Sequence, residues 1–238
     1  MRRQRLRTGG SCSIRHSSDA VPSHSVDRWH DLRAQLPERS RLLAVSKGHP
    51  AAAIREIAAL GQTAFGESRL QEAQLKQAEL DDLALNWHFI GRLQSNKVRA
   101  VVRAFGVIHS LESLSLAERI ARIASEENRC PEVFLQVKLR PDPNKGGWSA
   151  EELLAVWPRL RELPALRICG LMTMAPQGLT SQERHVLFGE CAALADRLAL
   201  PERSMGMSGD WREAVAAGST WLRLGSALFG PRPPVKDG

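Results

Sequence analysis

Short apolar runs, each closed by a polar residue, alternate along this chain with longer stretches whose apolar positions recur every three or four residues. The runs RLLAVSK (41–47), TAFGE (63–67), NWHFIG (86–91), GVIHSL (106–111), EVFLQVKL (132–139), LRICGLMT (166–173), RSMGMS (203–208) and TWLRLGSALFG (220–230) read as strands. Continuous apolar runs of this kind suit strands buried on both faces, as in a parallel sheet. Helices are predicted over 26–36, 50–61, 68–82, 93–105, 113–128, 149–163, 181–199 and 209–218. Pro158 should interrupt or kink the helix over 149–163. Strands alternating with helices every ~20–30 residues match repeated βαβ units. Eight such units in about 210 residues predict one α/β domain, a (β/α)8 TIM-type barrel over 26–232, with a short tail over 233–238. A doubly wound open sheet is the alternative. Neither a GxGxxG turn after the first strand nor a Walker loop is present to support it.

In a barrel the chemistry collects where strands end and loops begin. The polar residues at the predicted ends are Lys47, Glu67 and Ser68, His88, His109 and Ser110, Lys138, Thr173, Ser204 to Ser208, and Arg223. All are expected on one rim. SMGMSGDW (204–211) sets Gly206, Ser208 and Gly209 at a strand-to-helix turn, with Ser208 as a helix N-cap. RLGSALFG (223–230) offers a second turn at Gly225 and Ser226. Glycines let backbone N–H groups approach a ligand, and a helix N-terminus favours a phosphate. Taken alone, Ser208 is better read as a cap. Lys47 changes the picture. A free lysine amine has a pKa near 10.4, so only about one in a few thousand is neutral at pH 7. Burial or a nearby cation lowers that pKa and frees a nucleophile, and Arg223 on the adjacent stave is a candidate cation. A lysine and a phosphate cradle on one rim suit a phosphorylated aldehyde, of which pyridoxal 5'-phosphate is the common biological example. His109 and Ser110 read as satisfied strand-end residues, and His88 as a candidate beside the ring of such a ligand. Trp29, Trp157 and Trp221 read as packing, and Glu67 and Glu72 as partners of rim lysines with no acid–base role.

Composition adds limits. Apolar residues make up 43% and charged residues 25%, as in a soluble globular protein, and no apolar run is long enough to span a bilayer. Cys12, Cys130, Cys169 and Cys191 form no CxxC pair, which argues against a zinc site or disulfide framework and fits a cytoplasmic protein. The net charge of +7 could suggest nucleic acid, but residues 1–25 hold five arginines against one aspartate, leaving +3 for the rest. That segment lacks the apolar core of a secretory signal and shows no clear amphipathic helix. It is expected to be a disordered basic extension, with a transit or nucleic-acid role as the alternatives. Neither a nucleic acid nor a membrane is expected as a partner of the body.

The blocks LLAVSK, FGES followed by QEAQLK, WHFIGRLQSNK, IHSLES, GLMTM and SMGMSGDWREAVAAGSTWLRLGSALFG run in order from residue 42 to 230. Together they resemble the YggS-type pyridoxal phosphate homeostasis family, whose barrel is that of the alanine racemase N-terminal domain. The resemblance implies pyridoxal phosphate held as an internal aldimine on Lys47. It implies a phosphate bound by Ser208, Gly225 and Ser226, and Arg223 facing the pyridine nitrogen. Ser204, Met205, Gly206 and Met207 match the loop around the cofactor. The implied role is buffering of the cofactor or its delivery to pyridoxal-phosphate-requiring apo-enzymes, with little or no turnover. An arginine only donates, so at the ring nitrogen it would weaken the ring as an electron sink and disfavour transamination and elimination. An amino-acid racemase is the enzymatic rival. It needs a base on each face of the substrate carbon, and in fold-related alanine racemases one base is a tyrosine from a second domain. The present sequence has no tyrosine and runs eight residues past the expected barrel closure. A monomer is therefore expected. Departures from the family pattern are Gly48 and His49 after the lysine, where Thr-Lys is common, and Ser68 and Arg69 in place of Asn and a Tyr-type residue. Lys145 and Gly146 keep the polar loop after the fifth strand.

Overall fold

The apolar runs become the staves of a closed parallel barrel whose strands follow chain order and whose last strand pairs with the first. The computed structural model describes residues 24–142 and 145–232. The staves are β1 (Arg41–Val45), β2 (Ala64–Glu67), β3 (Asn86–Phe89), β4 (Val107–Leu111), β5 (Glu132–Gln136), β6 (Arg167–Met172), β7 (Glu202–Ser204) and β8 (Trp221–Leu224). The helices are α1 (His24–Gln35), α2 (Ala51–Ala58), α3 (Leu70–Glu79), α4 (Val98–Ala104), α5 (Leu114–Glu126), α6 (Ala150–Arg161), α7 (Ser181–Arg197), α8 (Trp211–Ala216) and α9 (Ser226–Phe229). Successive side chains of a strand point to opposite faces. On β1, Leu42 and Ala44 join the core between staves and helices. Leu43 turns into the barrel, where it packs against Gly66, and Val45 reaches the wall of a cavity above it. Leu43 lies opposite Arg223 in the register that closes the barrel.

The helices bury one face each. On α5, Leu116, Ala117, Ile120, Ala121, Ile123 and Ala124 are buried, and Ser113 caps the helix by accepting from the Leu116 N–H. Capping boxes open α6 (Ser149 with Glu152) and α7 (Thr180 with Glu183). α6 runs through Pro158 to Arg161 without interruption. Three strand predictions need correction. β5 stops at Gln136, and Val137 and Lys138 instead pair with Trp148 across the following loop. β7 is three residues long and ends at Ser204, so 205–208 is loop. β8 ends at Leu224, and the apolar SALF that follows is the short helix α9 rather than more strand. α1 starts at His24, two residues ahead of its predicted start. The remainder of the predicted extension, and the tail over 233–238, lie outside the described residues. Among the described residues no helix is long and apolar enough to cross a membrane, and no group of three or more His, Cys, Asp or Glu could hold a metal ion.

Candidate functional site

β1 carries Lys47 to the C-terminal mouth of the barrel, two residues beyond Val45. There Lys47, Ser208, Arg223, Gly225 and Ser226 line one cavity of about 480 Å³. The backbone on either side of Lys47 is fastened. Lys76, buried on α3, donates to the Ser46 carbonyl (2.8 Å), to Glu67 Oε1 (2.7 Å) and to Glu72 Oε1 (2.7 Å). Ser46 Oγ donates to the same Glu67 oxygen (2.7 Å), and the Gly48 N–H donates to Glu72 Oε1 (2.5 Å). The partner of Glu67 and Glu72 is thus a buried lysine behind the rim, not a lysine on it. Burial raises the Glu67 pKa despite its bonds to Lys76 and Ser46. Burial acts the same way on Glu72, but Lys76 and the Gly48 N–H outweigh it and leave that pKa lowered. The Lys47 amine is half-buried, and its pKa is lowered first by that burial, then by Arg232 and Arg223, against an opposing pull from Glu67.

Arg223 is buried at the base of this cavity. Its Nη1 donates to the Ser204 carbonyl (2.6 Å) and to Ser204 Oγ (2.7 Å), and its Nη2 to the Thr173 carbonyl (2.9 Å). A guanidinium has five N–H donors, so two remain for a ligand. Burial lowers its pKa to about 10, and it stays cationic at neutral pH. The two glycine–serine turns meet beside it. Ser208 is not the N-cap of α8: that place is taken by Asp210, whose Oδ1 accepts from the Met207 N–H (2.6 Å). Ser208 Oγ accepts instead from the Ala227 N–H (3.0 Å), which ties the turn after β7 to the start of α9. Gly225 passes close to β1, where a Cβ would stand 3.3 Å from the Val45 carbonyl oxygen.

Three of the predicted site residues lie elsewhere. Gly206 lines no part of the cavity. It has φ +89°, a Cβ there would stand 2.6 Å from that of Ala214, and its carbonyl accepts from the Arg223 N–H (3.0 Å). Its part is to turn the chain. Ser204 is fully buried beneath the cavity as the partner of Arg223. His88 is not on this rim at all. Its ring is buried inside the barrel, bonded to His109 and 4.9 Å from the Trp221 ring, and it borders a different cavity at the N-terminal ends of the strands. Ile90, two residues further along, is what β3 presents to the upper cavity. His109 is likewise inside the barrel, not at its rim, and its ring nitrogens are bonded to His88 and Ser204.

Arg232 and His49 also line the upper cavity, and sequence reasoning did not single out either as part of a binding site. Arg232 follows α9, in a segment that reads as closing turn. Its stem packs over Gly48, where a Cβ would come within 3.1 Å of Arg232 Cδ and where φ is +78°. His49 stacks on Phe229 of α9 (centroids 5.0 Å apart, planes at 29°). The Gly48-His49 pair therefore has a packing reason: it seats the segment that brings Arg232 to the cavity. Arrayed together, the site offers a depressed-pKa amine for a carbonyl, clustered N–H and hydroxyl groups for an anion, and a buried guanidinium between them.

Comparison with known proteins agrees with this geometry. Residues 24–233 match the family model described as "Alanine racemase, N-terminal domain". The chain is 48% identical over 211 residues to the pyridoxal phosphate homeostasis protein of Synechocystis sp., covering 86% of this chain and 97% of that one. It is 38% identical over 204 residues to the protein of the same name from Escherichia coli strain K12, covering 82% and 87%. Among solved structures, PipY of Synechococcus elongatus PCC7942 with pyridoxal phosphate bound superposes with a TM-score of 0.84 at 51% identity, covering 87% of this chain and all 100% of that one. An alanine racemase from Clostridium difficile in complex with cycloserine shares the fold, with a TM-score of 0.76 at 13% identity over 89% of this chain and 60% of that one. The chain belongs to the pyridoxal phosphate homeostasis protein family, built on the alanine racemase N-terminal-domain barrel.

Proposed function

We propose that this protein binds pyridoxal 5'-phosphate in the upper cavity and serves pyridoxal phosphate homeostasis, holding the cofactor and releasing it to pyridoxal-phosphate-requiring apo-enzymes. The observation that carries the reading is the convergence of Lys47, Arg223 and the two glycine–serine turns on one cavity. Bound there, the cofactor supplies an aldehyde for covalent attachment and a conjugated ring. The donor set suits it. Burial, Arg232 and Arg223 lower the Lys47 pKa, the direction that favours a nucleophilic amine. The Ser208–Ala227 bond packs the two turns together, and Gly209, Gly225 and Ser226 bring backbone to the cavity without bulky side chains. Arg232 adds a cation on that side, and no carboxylate of the described residues pairs with it. Arg223 keeps two N–H groups for a ring nitrogen. A permanent donor at that nitrogen opposes its protonation and weakens the ring as an electron sink, which disfavours transamination and elimination on it.

The finer parts of the reading are a covalent bond at Lys47, a monomeric state and a cytoplasmic setting. The test is the visible spectrum of the purified protein before and after borohydride. A yellow band, trapped onto the chain by reduction and lost in Lys47→Ala, is expected. A colourless protein that cannot be reconstituted with pyridoxal phosphate overturns the proposal. Enzyme-like racemisation of L- or D-amino acids would overturn the carrier role while leaving the binding site standing.

A further inference from the structure

The barrel axis contains an uninterrupted chain of buried polar groups. His88 Nδ1 lies 2.9 Å from His109 Nε2, His109 Nδ1 lies 2.9 Å from Ser204 Oγ, and Ser204 Oγ accepts from Arg223 Nη1 at 2.7 Å. Four residues from β3, β4, β7 and β8 thus link the lower cavity to the upper one. His109 stacks on Phe134 of β5 (centroids 4.3 Å apart, planes at 15°), which fixes its ring plane.

The chain has one satisfactory direction. An arginine has no acceptor, so Ser204 Oγ must accept from it. The Ser204 hydroxyl hydrogen then needs an acceptor, and His109 Nδ1 is the one within reach. His109 must therefore carry its proton on Nε2 and donate to His88 Nδ1. That leaves His88 with its proton on Nε2, the nitrogen with no protein partner among the described residues. Among the described residues the sealed side-chain atoms without a partner are Glu67 Oε2, Ser110 Oγ and Arg203 Nε, so His88 Nε2 is not sealed and opens on the lower cavity. Reversing the direction would strand the Ser204 O–H in the interior, at a penalty of about 1–3 kcal/mol. Both rings are neutral in this arrangement, in keeping with the burial that pushes their pKa values down, that of His88 to about 3.

We infer that His109 and His88 are positioning residues for Arg223: they hold the Ser204 hydroxyl in the one orientation that accepts from the guanidinium and so set where Arg223 stands in the upper cavity. The inference deepens the pyridoxal phosphate reading, in which Arg223 faces the ring nitrogen. His109 touches Ser204 and never the upper cavity, so its effect has to pass through the hydroxyl.

Two measurements test it. The first needs no cofactor. Nitrogen-15 spectra of the histidine rings in the full chain should show both His88 and His109 as neutral Nε2–H tautomers at pH 7, with the assignment made by loss of each signal in His88→Phe and His109→Phe. A His109 proton on Nδ1, or a charged ring, overturns the inference whatever the protein binds. The second reads the site. His109→Phe keeps the ring stacked on Phe134 but removes the acceptor. It should weaken pyridoxal phosphate binding about tenfold or more and shift the visible band of the loaded protein. His109→Gln, which can accept from Ser204 and donate to His88, should restore both. Equal affinity and an unmoved band in His109→Phe, with unfolding midpoints that show it folded, overturn the inference. If wild type itself binds no pyridoxal phosphate, it is the cofactor reading that fails, and the tautomer measurement still decides this one.

Discussion

Replacing Lys76 with methionine tests whether the loop around Lys47 is held by a buried ion pair. The lysine side chain is 7% exposed and the Glu67 side chain 0%. Methionine fills the slot of the stem but gives Glu67 no partner. One Glu67 oxygen is already sealed without a hydrogen bond, so the other would lose its only charged partner. Removing one member of a buried pair typically destabilises by about 3–5 kcal/mol because the remaining charge stays buried. Glu67 can escape that penalty by binding a proton, and this fixes the sign of the pH dependence. Its folded pKa is already raised by burial and rises further without Lys76. A carboxyl with a raised folded pKa holds its proton more tightly in the folded chain. Its contribution is fully present below the ordinary glutamate range and is lost as pH rises through the folded value. The deficit of Lys76→Met should therefore be small near pH 5 and grow by up to ~1.4 kcal/mol per pH unit until Glu67 ionises, reaching about 3 kcal/mol by pH 8. Urea unfolding of the full chain, followed by tryptophan fluorescence from pH 5 to 8, measures it. Adding Glu67→Gln removes the ionisable group and should recover most of the loss at pH 8. A deficit under about 1 kcal/mol at pH 8, or one that does not change with pH, would show that Lys76 acts as a surface lysine does.

Two further predictions concern the cavity itself. Gly206→Ala puts a Cβ on a residue with φ +89° and within 3.1 Å of the Trp211 Cα, a backbone atom that cannot swing aside. It should lower stability by about 2 kcal/mol in denaturant unfolding, and a neutral result would mean that the turn after β7 is soft. Arg232→Met removes the cation that, after burial, does most to lower the Lys47 pKa. The midpoint of the pH profile for Lys47 reductive methylation, read by peptide mass spectrometry, should move upward, and an unmoved midpoint would show that Arg232 has no part in the shift.

The barrel was legible because its staves are continuous apolar runs separated by amphipathic helices, and the physics of a doubly buried strand leaves little else for such a run to do. Lys47, Ser208 and Arg223 were legible for a related reason, as polar residues at the ends of those runs. The misplaced residues show where the signal stops. His88 lies inside NWHFIG, and reading it as a strand end put it one layer too high. Ile90, on the same face of the strand, is the residue that reaches the mouth. SALF is too short for its apolar pattern to separate strand from helix, and taking it for strand hid the turn that swings Arg232 over Gly48. Ser208 and Asp210 are both good capping residues two positions apart. Only the bond from the Ala227 N–H, nineteen residues away in sequence, takes Ser208 out of that competition.

These corrections bear on what kind of site this is. The residue before Lys47 and the residue after it are both bonded into the Lys76 network, and the following His49 is stacked on α9. Arg223 is pinned on carbonyls from β7 and from the end of β6, with its hydroxyl partner fixed in turn from inside the barrel. A site that closes around a substrate needs a loop free to move. Here the segments carrying the amine and the guanidinium are the fastened ones, so their ordering entropy is spent on folding rather than on binding. Such a site gains affinity from preorganisation. Its guanidinium, charged and donating at neutral pH, would weaken the electron-sink character that transamination or elimination on the proposed cofactor would draw on. Rigid capture is what the proposed carrier role requires, and the fastened segment around Lys47 is what would supply it.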